Sequence, residues 1–339
     1  MVSPPGHPRR RPARSLESQV VPEFCRHGRF VQNCRICSPP AQGASARSGG
    51  TGTAPTQRSE RSAGASRPRR GGLVVRRNVR AADDGYASDL LPGIRASADA
   101  ERLADEIAFA VARLGELAVD PPGLYAQVAA ASDREEGTWL ALLITYLSPA
   151  AQAPFAGPAA AAAQGSWASG AIPDLTDLAL GPRTSHDPAR GEETLRAYRA
   201  WAARNGGQEA AFTGDGAWSP DRRFARIFER LALPGLGRGG RYELLVVLGR
   251  LGLYDLHPSA LHVDGDATTM AAKRLLGIGD RINLERRATA LAEGLDIPMA
   301  ALDLALFNWS QPVTERATMG SSAEPDPALR ELLGEALGL

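Results

Sequence analysis

A short acidic segment carries the residues best suited to chemistry. Residues 262–274 read HVDGDATTMAAKR, in which Asp264 and Asp266 precede a run with helical spacing. A carboxylate in this setting can act as a general base or stabilise an oxocarbenium ion. Asp266 is predicted to cap the helix by accepting free N–H groups of its first turn, so Asp264 is the preferred catalytic residue. The alternative is that both aspartates only shape a turn.

A glycine-rich hairpin precedes this segment. Residues 233–238 read LPGLGR and lie between two helical patterns. Gly235 and Gly237 allow a tight turn and the close approach of another backbone, and the next helix offers free N–H groups to an anion. Pro234, Gly235, Gly237 and Arg238 are therefore predicted to bind a phosphate of DNA. A P-loop is disfavoured because no G-K-[ST] follows.

The hairpin and the aspartates together resemble the helix-hairpin-helix DNA glycosylase superfamily, whose members combine L-P-G-V-G-R, a helix and V-D-G-N. WLALLITYLSPAAQ, residues 139–152, resembles the opening helix of that superfamily, and the resemblance implies a DNA contact for Gln152. Two departures matter. Gly239 follows the hairpin arginine where bifunctional members carry lysine, which puts a Schiff-base lyase in doubt. No cysteine follows Cys37, so the iron–sulfur cluster of some members has no ligands.

The finer pattern is similar to a neighbouring family. GRYELLVVLGRLGLYDL, LHVDGDATTMAAKRLLGIGD and LERRATALAEGLDIPMAALDLALFNW, behind an N-terminal C-x-H/C-x2-C, resemble the alpha-glutamyl/putrescinyl thymine pyrophosphorylase family, clade 3. Its related clades are associated with thymine hypermodification in phage DNA. The resemblance implies a glycosylase-like helical fold, DNA as partner, base flipping and a modified pyrimidine as substrate.

Lys273 is the only lysine of the chain, against 38 arginines. An arginine-biased composition explains most of this imbalance. Counted from the aspartate, Lys273 falls where the adenine-glycosylase pattern carries an arginine. We keep it among the candidate catalytic residues, with a structural or phosphate contact as its preferred role.

Three cysteines and one histidine form a candidate zinc site. Cys25, His27, Cys34 and Cys37 give a C-x-H-x6-C-x2-C set, and four such ligands complete a tetrahedral structural zinc. So small a knuckle would depend on the metal for folding. The alternative is a pair of reduced thiols in a disordered arm. Whether the knuckle contacts nucleic acid or a protein partner stays open.

Composition divides the chain into a basic arm and an acidic body. Residues 1–80 contain 16 Arg and three Glu, whereas the remainder contains 23 basic and 35 acidic residues. We predict a disordered basic arm at 1–22, a zinc knuckle at 23–40, a disordered basic linker at 41–82 and a mostly α domain at 83–339, with a loop or insertion at 149–175. Helical spacing dominates after residue 83, and no run alternates at period two.

The arginine-rich arm suits a polyanion, so DNA is the expected partner. No apolar run suggests a signal peptide or a membrane span, so a cytoplasmic protein is expected, with a transit peptide as an alternative. The leading hypothesis is a DNA-acting enzyme that processes a modified pyrimidine. The alternatives are a monofunctional repair glycosylase and a non-catalytic DNA-binding module. His262 is expected at the surface, and Tyr242 and Trp309 in the core.

Overall fold

Helices account for all the regular secondary structure in the part of the chain that the computed structural model describes, residues 81–339. The prediction of a mostly α domain is confirmed there. The predicted basic arm, zinc knuckle and nearly all of the basic linker lie outside the described residues. The helices, in chain order, are α1 (Ser97–Val119), α2 (Leu124–Ala129), α3 (Arg134–Leu147), α4 (Ala156–Gln164), α5 (Gly191–Arg204), α6 (Gln208–Thr213), α7 (Pro220–Arg230), α8 (Arg238–Arg250), α9 (Ala267–Leu276), α10 (Arg281–Gly294), α11 (Met299–Ser310) and α12 (Pro327–Leu337).

The core forms around α11, which packs against α1 and α9. Every residue of α11 from Met299 to Trp309 is buried, because its sequence is apolar on nearly all sides and has no face for water. The helix α1 also packs against α12, and α3 packs against α8. Tyr242 on α8 and Trp309 are 0% and 2% exposed, so the prediction of core positions for both is confirmed.

Local signals fix the ends of α9 and the start of α10. The Asp266 carboxylate accepts the Thr269 N–H at 2.9 Å, which confirms the predicted cap. Gly277 ends α9 in the left-handed conformation, with φ +64°, and Asp280 caps α10 through the Asn283 N–H. The segment 275–281 is thus a glycine C-cap followed by a new helix.

The alanine-rich segment 149–175 contains a helix, α4, where the sequence suggested a loop or a weakly ordered insertion. Alanine is the strongest helix former, and this preference outweighs the nearby glycines and prolines. The residues after α4 form hydrogen bonds with side chains of α3 and α5. Glu136 accepts the N–H groups of Trp167 and Ala168, each at 2.8 Å, and Arg199 donates to the carbonyls of Ser166 and Trp167.

No helix among residues 81–339 is long and apolar enough to cross a membrane.

Candidate functional site

The hairpin, residues 233–238, connects α7 to α8. The Leu236 N–H donates to the Leu233 carbonyl at 3.1 Å and closes the turn. Gly235 has φ +80°, and a Cβ there would lie 1.9 Å from Oγ1 of Thr194. Both the backbone conformation and the packing on α5 therefore require glycine at position 235. A Cβ at Gly237 would meet no atom within 4 Å, so that backbone stays open to a ligand.

A cavity of about 450 Å³, the hairpin cavity, lies beside this turn. Its walls are the hairpin, residues 182–185, the start of α9 at Asp266 and Ala267, and Phe307 of α11. The helix α8 begins at this wall with Gly237 as its N-cap and no side-chain cap. The N–H groups of its first turn are thus available to an anion. Pro234 lies exposed at the tip of the turn.

A cluster of buried charged side chains adjoins the hairpin cavity, which Arg183 and Arg238 help to line. Asp303 of α11 forms ion pairs with Arg183 and with Arg238. Glu243 of α8 lies 3.4 Å from Nε of Arg183. All four side chains are at most 5% exposed. Opposite charges compensate here for the loss of hydration that burial imposes.

The pKa values of the cluster follow from this arrangement. Burial alone would raise the pKa of Asp303, but the two guanidinium groups outweigh it and hold that pKa below its usual value. Burial lowers the pKa of Arg238, and Asp303 and Asp266 reverse the effect, so the net shift is upward. Burial raises the pKa of Glu243 to about 7, although Arg183 opposes the rise.

Arg238 uses its guanidinium inside the protein, whereas the sequence suggested a contact with a DNA phosphate. Besides Asp303, it contacts Asp266 at 3.3 Å and donates to the carbonyls of Leu261 and His262. The whole residue is 3% exposed. A direct phosphate contact stays a prediction, and it would require the side chain to leave these partners.

The loop that carries Asp264 is held along both of its edges. Glu285 of α10 accepts the N–H groups of Leu261, at 3.0 Å, and of Val263. On the opposite edge, Arg238 binds the Leu261 and His262 carbonyls. His262 has φ +53°, a conformation that non-glycine residues rarely adopt. These four hydrogen bonds fix the direction in which the chain enters Asp264.

His262 was expected at the surface, but the residue is only partly exposed. Its ring stacks on Phe228, with centroids 4.6 Å apart, and on Phe224, at 5.7 Å. Burial lowers the pKa of the imidazole to about 4, and the charges of Arg238, Arg281 and Arg241 add to the effect. One face of the ring is therefore covered by aromatic side chains of α7.

The two aspartates of the loop occupy different environments. The Asp264 side chain is 70% exposed, and the nearest cation is Arg241, with 3.6 Å between Nη2 and Oδ2. Its backbone N–H donates to Oγ1 of Thr269 at 3.0 Å. Asp266 caps α9 and contacts Arg238. Asp264 therefore presents a carboxylate to solvent on a fixed backbone, and Asp266 has a structural role.

Two other candidates lie apart from this site. Lys273 lines a different cavity, together with Met270 and Arg274 on α9. Gln152 is exposed in the chain after α3, which ends at Leu147, and it does not line the hairpin cavity. The four predicted zinc ligands lie outside the described residues. Within residues 81–339, no three His, Cys, Asp or Glu side chains are grouped to hold a metal ion.

Residues 183–316 match the sequence model of a known family, described as alpha-glutamyl/putrescinyl thymine pyrophosphorylase clade 3. This segment of the chain is similar to that family. The predicted resemblance is thereby confirmed. The matched segment covers less than half of the chain but contains the hairpin, the aspartate loop, the buried charge cluster and Glu285. No curated protein and no solved structure matches the chain.

Proposed function

We propose that this protein is a DNA-acting enzyme that processes a modified pyrimidine, of the thymine or 5-hydroxymethylpyrimidine type, with Asp264 as its reactive carboxylate. The observation that supports it is an exposed carboxylate on a doubly anchored loop that leads directly to Asp266, which lines the hairpin cavity. The family name, which specifies a thymine pyrophosphorylase, points to base modification in DNA.

In this proposal the hairpin cavity binds a phosphate of the DNA backbone. The first N–H groups of α8 face the anion, and Gly235 and Gly237 let the strand approach closely. A target nucleotide flipped out of the duplex then reaches Asp264. The carboxylate draws a proton from a hydroxyl or amine that attacks an activated substituent of the base and displaces its leaving group. In a glycosylase reaction it would instead stabilise positive charge that develops on the sugar as the base leaves.

Arg241 and Glu285 have supporting roles in the same proposal. Arg241 lies 3.6 Å from the carboxylate and is itself almost buried, so it restricts where Asp264 can point. Glu285 fixes the backbone before Asp264. Gly239 follows Arg238, so no amine is available at that position for a Schiff base.

The test compares the wild type with Asp264→Asn, and with Asp266→Asn as a matched variant, on duplexes that contain thymine or 5-hydroxymethylpyrimidines. Affinity is measured by titration, and base release or base modification by mass spectrometry of the nucleosides. We expect Asp264→Asn to bind DNA within about two-fold of the wild type and to lose at least about 100-fold in rate, as for loss of a general base. Asp266→Asn keeps a capping side chain and should keep most of the rate.

Two other functions predict different results. A monofunctional repair glycosylase would release a free base and leave an abasic site, with no new substituent on the pyrimidine. A non-catalytic DNA-binding module would bind the duplexes but change no base, and Asp264→Asn would have no effect. Mass spectrometry of nucleosides from cells with and without the gene would identify the base directly.

The proposal includes a structural zinc held by Cys25, His27, Cys34 and Cys37. Three thiolates and one imidazole are a suitable donor set for a closed tetrahedral site. We expect about one zinc per chain in the wild type and none after the joint replacement Cys34→Ser, Cys37→Ser. Metal analysis of both purified proteins decides, and an unchanged zinc content would contradict this part of the proposal.

A further inference from the structure

A second cavity follows the hairpin cavity along the same two helices. This α9–α11 groove has a volume of about 680 Å³ and is also bordered by residues 93–96, which lead into α1. Ala267 and Phe307 line the hairpin cavity, whereas Met270 and Ser310, one helical turn further along α9 and α11, line the groove. The two cavities are therefore neighbours along one seam.

The walls of the groove are tied together by hydrogen bonds and an ion pair. The Gly93 N–H donates to the Leu275 carbonyl at 2.9 Å. The Trp309 indole donates to the Asp99 carbonyl at 2.9 Å. Arg274 pairs with the Asp99 carboxylate at 2.7 Å and lies over the Trp309 ring. The groove is thus preformed, and binding there would cost little reorganisation.

The charges that line the groove leave two cations without partners. Its charged residues are Arg95, Lys273, Arg274, Asp83 and Asp99. Arg274 and Asp99 neutralise each other. In the described part of the chain, the side chains of Arg95 and Lys273 form no ion pair and no hydrogen bond. With Asp83 counted, three cations face two carboxylates, so the lining keeps a net charge of +1 and favours an anion.

The apolar part of the lining suits more than a bare anion. Ile94 and Ala271 are 2% and 3% exposed and form part of the floor. Met270 is 59% exposed at the groove. An exposed methionine beside two unpaired cations matches a ligand that joins a phosphate to an apolar sugar or base surface.

The two cavities lie close enough along α9 for one DNA strand to contact both. Ala267, Met270 and Lys273 lie on one face of α9, because residues three apart are neighbours on a helix. The helix rise places Lys273 about 9 Å along the axis from Ala267. A DNA strand carries one phosphate per nucleotide, spaced about 3.4 Å along its helix axis, so another phosphate of the strand bound at the hairpin can reach the groove.

We infer that the α9–α11 groove binds a second phosphate of the DNA strand held at the hairpin, through Lys273 and Arg95. The inference rests on the proposed function, since it takes DNA as the ligand. Lys273 thereby acts in binding, at a distance from the carboxylate of Asp264. A free phosphate-bearing small molecule has the same chemistry, and the experiment separates the two sources.

The experiment neutralises the DNA phosphates one at a time and measures binding by the full-length protein. A series of duplexes carries one neutral methylphosphonate each, at successive positions of the strand, and affinity is measured for the wild type, Lys273→Gln and Arg95→Gln. We expect the wild type to lose affinity several-fold at one phosphate in addition to the hairpin phosphate. Each variant should be insensitive to replacement of that phosphate and keep its sensitivity at the hairpin phosphate. In log–log salt titrations, each variant should show a slope smaller by about one.

Arg204→Gln is the control, because Arg204 is exposed at the end of α5 and lines neither cavity. Like the two test variants, it removes one positive charge. It should lose affinity at the same phosphates as the wild type. If the wild type binds duplex DNA but the variants give an identical scan, the inference is overturned and the proposed function stands. If the variants lose only the binding of inorganic phosphate, used alone as a probe, the groove serves a free anion and the inference is again overturned. A wild type that binds no duplex overturns both.

Discussion

Glu285 accepts the backbone N–H of Val263, the residue directly before Asp264. It also accepts the Leu261 N–H, so one carboxylate satisfies two donors on either side of the strained His262. A side chain 21 residues further along the chain thereby sets the direction of the candidate catalytic group.

Replacement of Glu285 should therefore impair chemistry more than DNA binding. Glu285→Ala leaves two backbone N–H groups without partners, which costs about 1–3 kcal/mol each where water cannot replace the bond. A shift of the Asp264 carboxylate by about 1 Å can lower a rate about 100-fold. We expect that loss in turnover of a modified duplex, with DNA affinity within about two-fold of the wild type.

Two further variants make this prediction specific. Glu285→Gln keeps one acceptor oxygen and should recover part of the rate. Glu293→Ala removes an exposed carboxylate from the same helix and should match the wild type. Equal rates for Glu285→Ala and Glu293→Ala would show that the loop needs no such anchor.

Replacement of Gly235 should lower the stability of the protein, whereas replacement of Gly237 should weaken DNA binding. A methyl group at Gly235 meets Thr194 and a φ of +80°, whereas one at Gly237 meets open space. Gly235→Ala should lower the free energy of unfolding by at least about 1 kcal/mol, as for a residue forced into a disfavoured conformation. Gly237→Ala should keep the stability but weaken DNA binding several-fold, because its methyl group faces the proposed path of the strand.

Thermal unfolding of both variants measures the change in stability, and duplex titration measures the change in DNA affinity. Gly216→Ala is the control, since its added methyl group also meets open space and it lines neither cavity. Wild-type affinity in Gly237→Ala would place the DNA backbone elsewhere.

The sequence predicted the features that depend on neighbours in the chain. The Asp266 cap and the glycine hairpin follow from local rules, and the structure has both. The family resemblance was carried by the same local patterns. Its fold-level consequence, a helical body, needed only the spacing of apolar residues.

The features that the sequence did not predict depend on distant residues. Asp303 pairs with Arg183, 120 residues away, and no local pattern relates these two. A signal was nevertheless present. Glu243 and Asp303 each interrupt an apolar helical run, and charged residues at such positions are rarely buried without partners. The partial burial of His262 was not predicted from the sequence. It depends on a loop with a positive φ, which hydrogen bonds from the distant residues Glu285 and Arg238 hold in place.

Asp303 should be among the residues most costly to replace. It faces two buried guanidinium groups, and removal of one partner from a buried ion pair costs about 3–5 kcal/mol. We expect Asp303→Asn to lower the free energy of unfolding by about that amount, measured by urea denaturation. Asp105→Asn is the control, because the Asp105–Arg330 pair is exposed and such pairs contribute at most about 1 kcal/mol. Similar losses in both variants would contradict the role given to the buried cluster.

Glu243 should make stability fall as pH rises. Its pKa in the folded protein is about 7, against an ordinary value of 4.5. Between these two pH values the folded state binds more protons than the unfolded state, so the free energy of unfolding decreases with increasing pH. The stabilisation is fully present below pH 4.5 and is lost as pH rises through 7, by about 3 kcal/mol at most.

The measurement is the difference in unfolding free energy between the wild type and Glu243→Gln at several pH values. His262 has the opposite effect, because its folded pKa of about 4 lies below its ordinary 6.5 and stability therefore falls on acidification. That contribution is common to both proteins and cancels in the difference. The wild type should lose stability relative to Glu243→Gln from pH 4.5 to 7 and no further above that range. A difference that is constant over this range would mean that Glu243 stays ionised beside Arg183, and that the cluster holds two carboxylates against its two arginines.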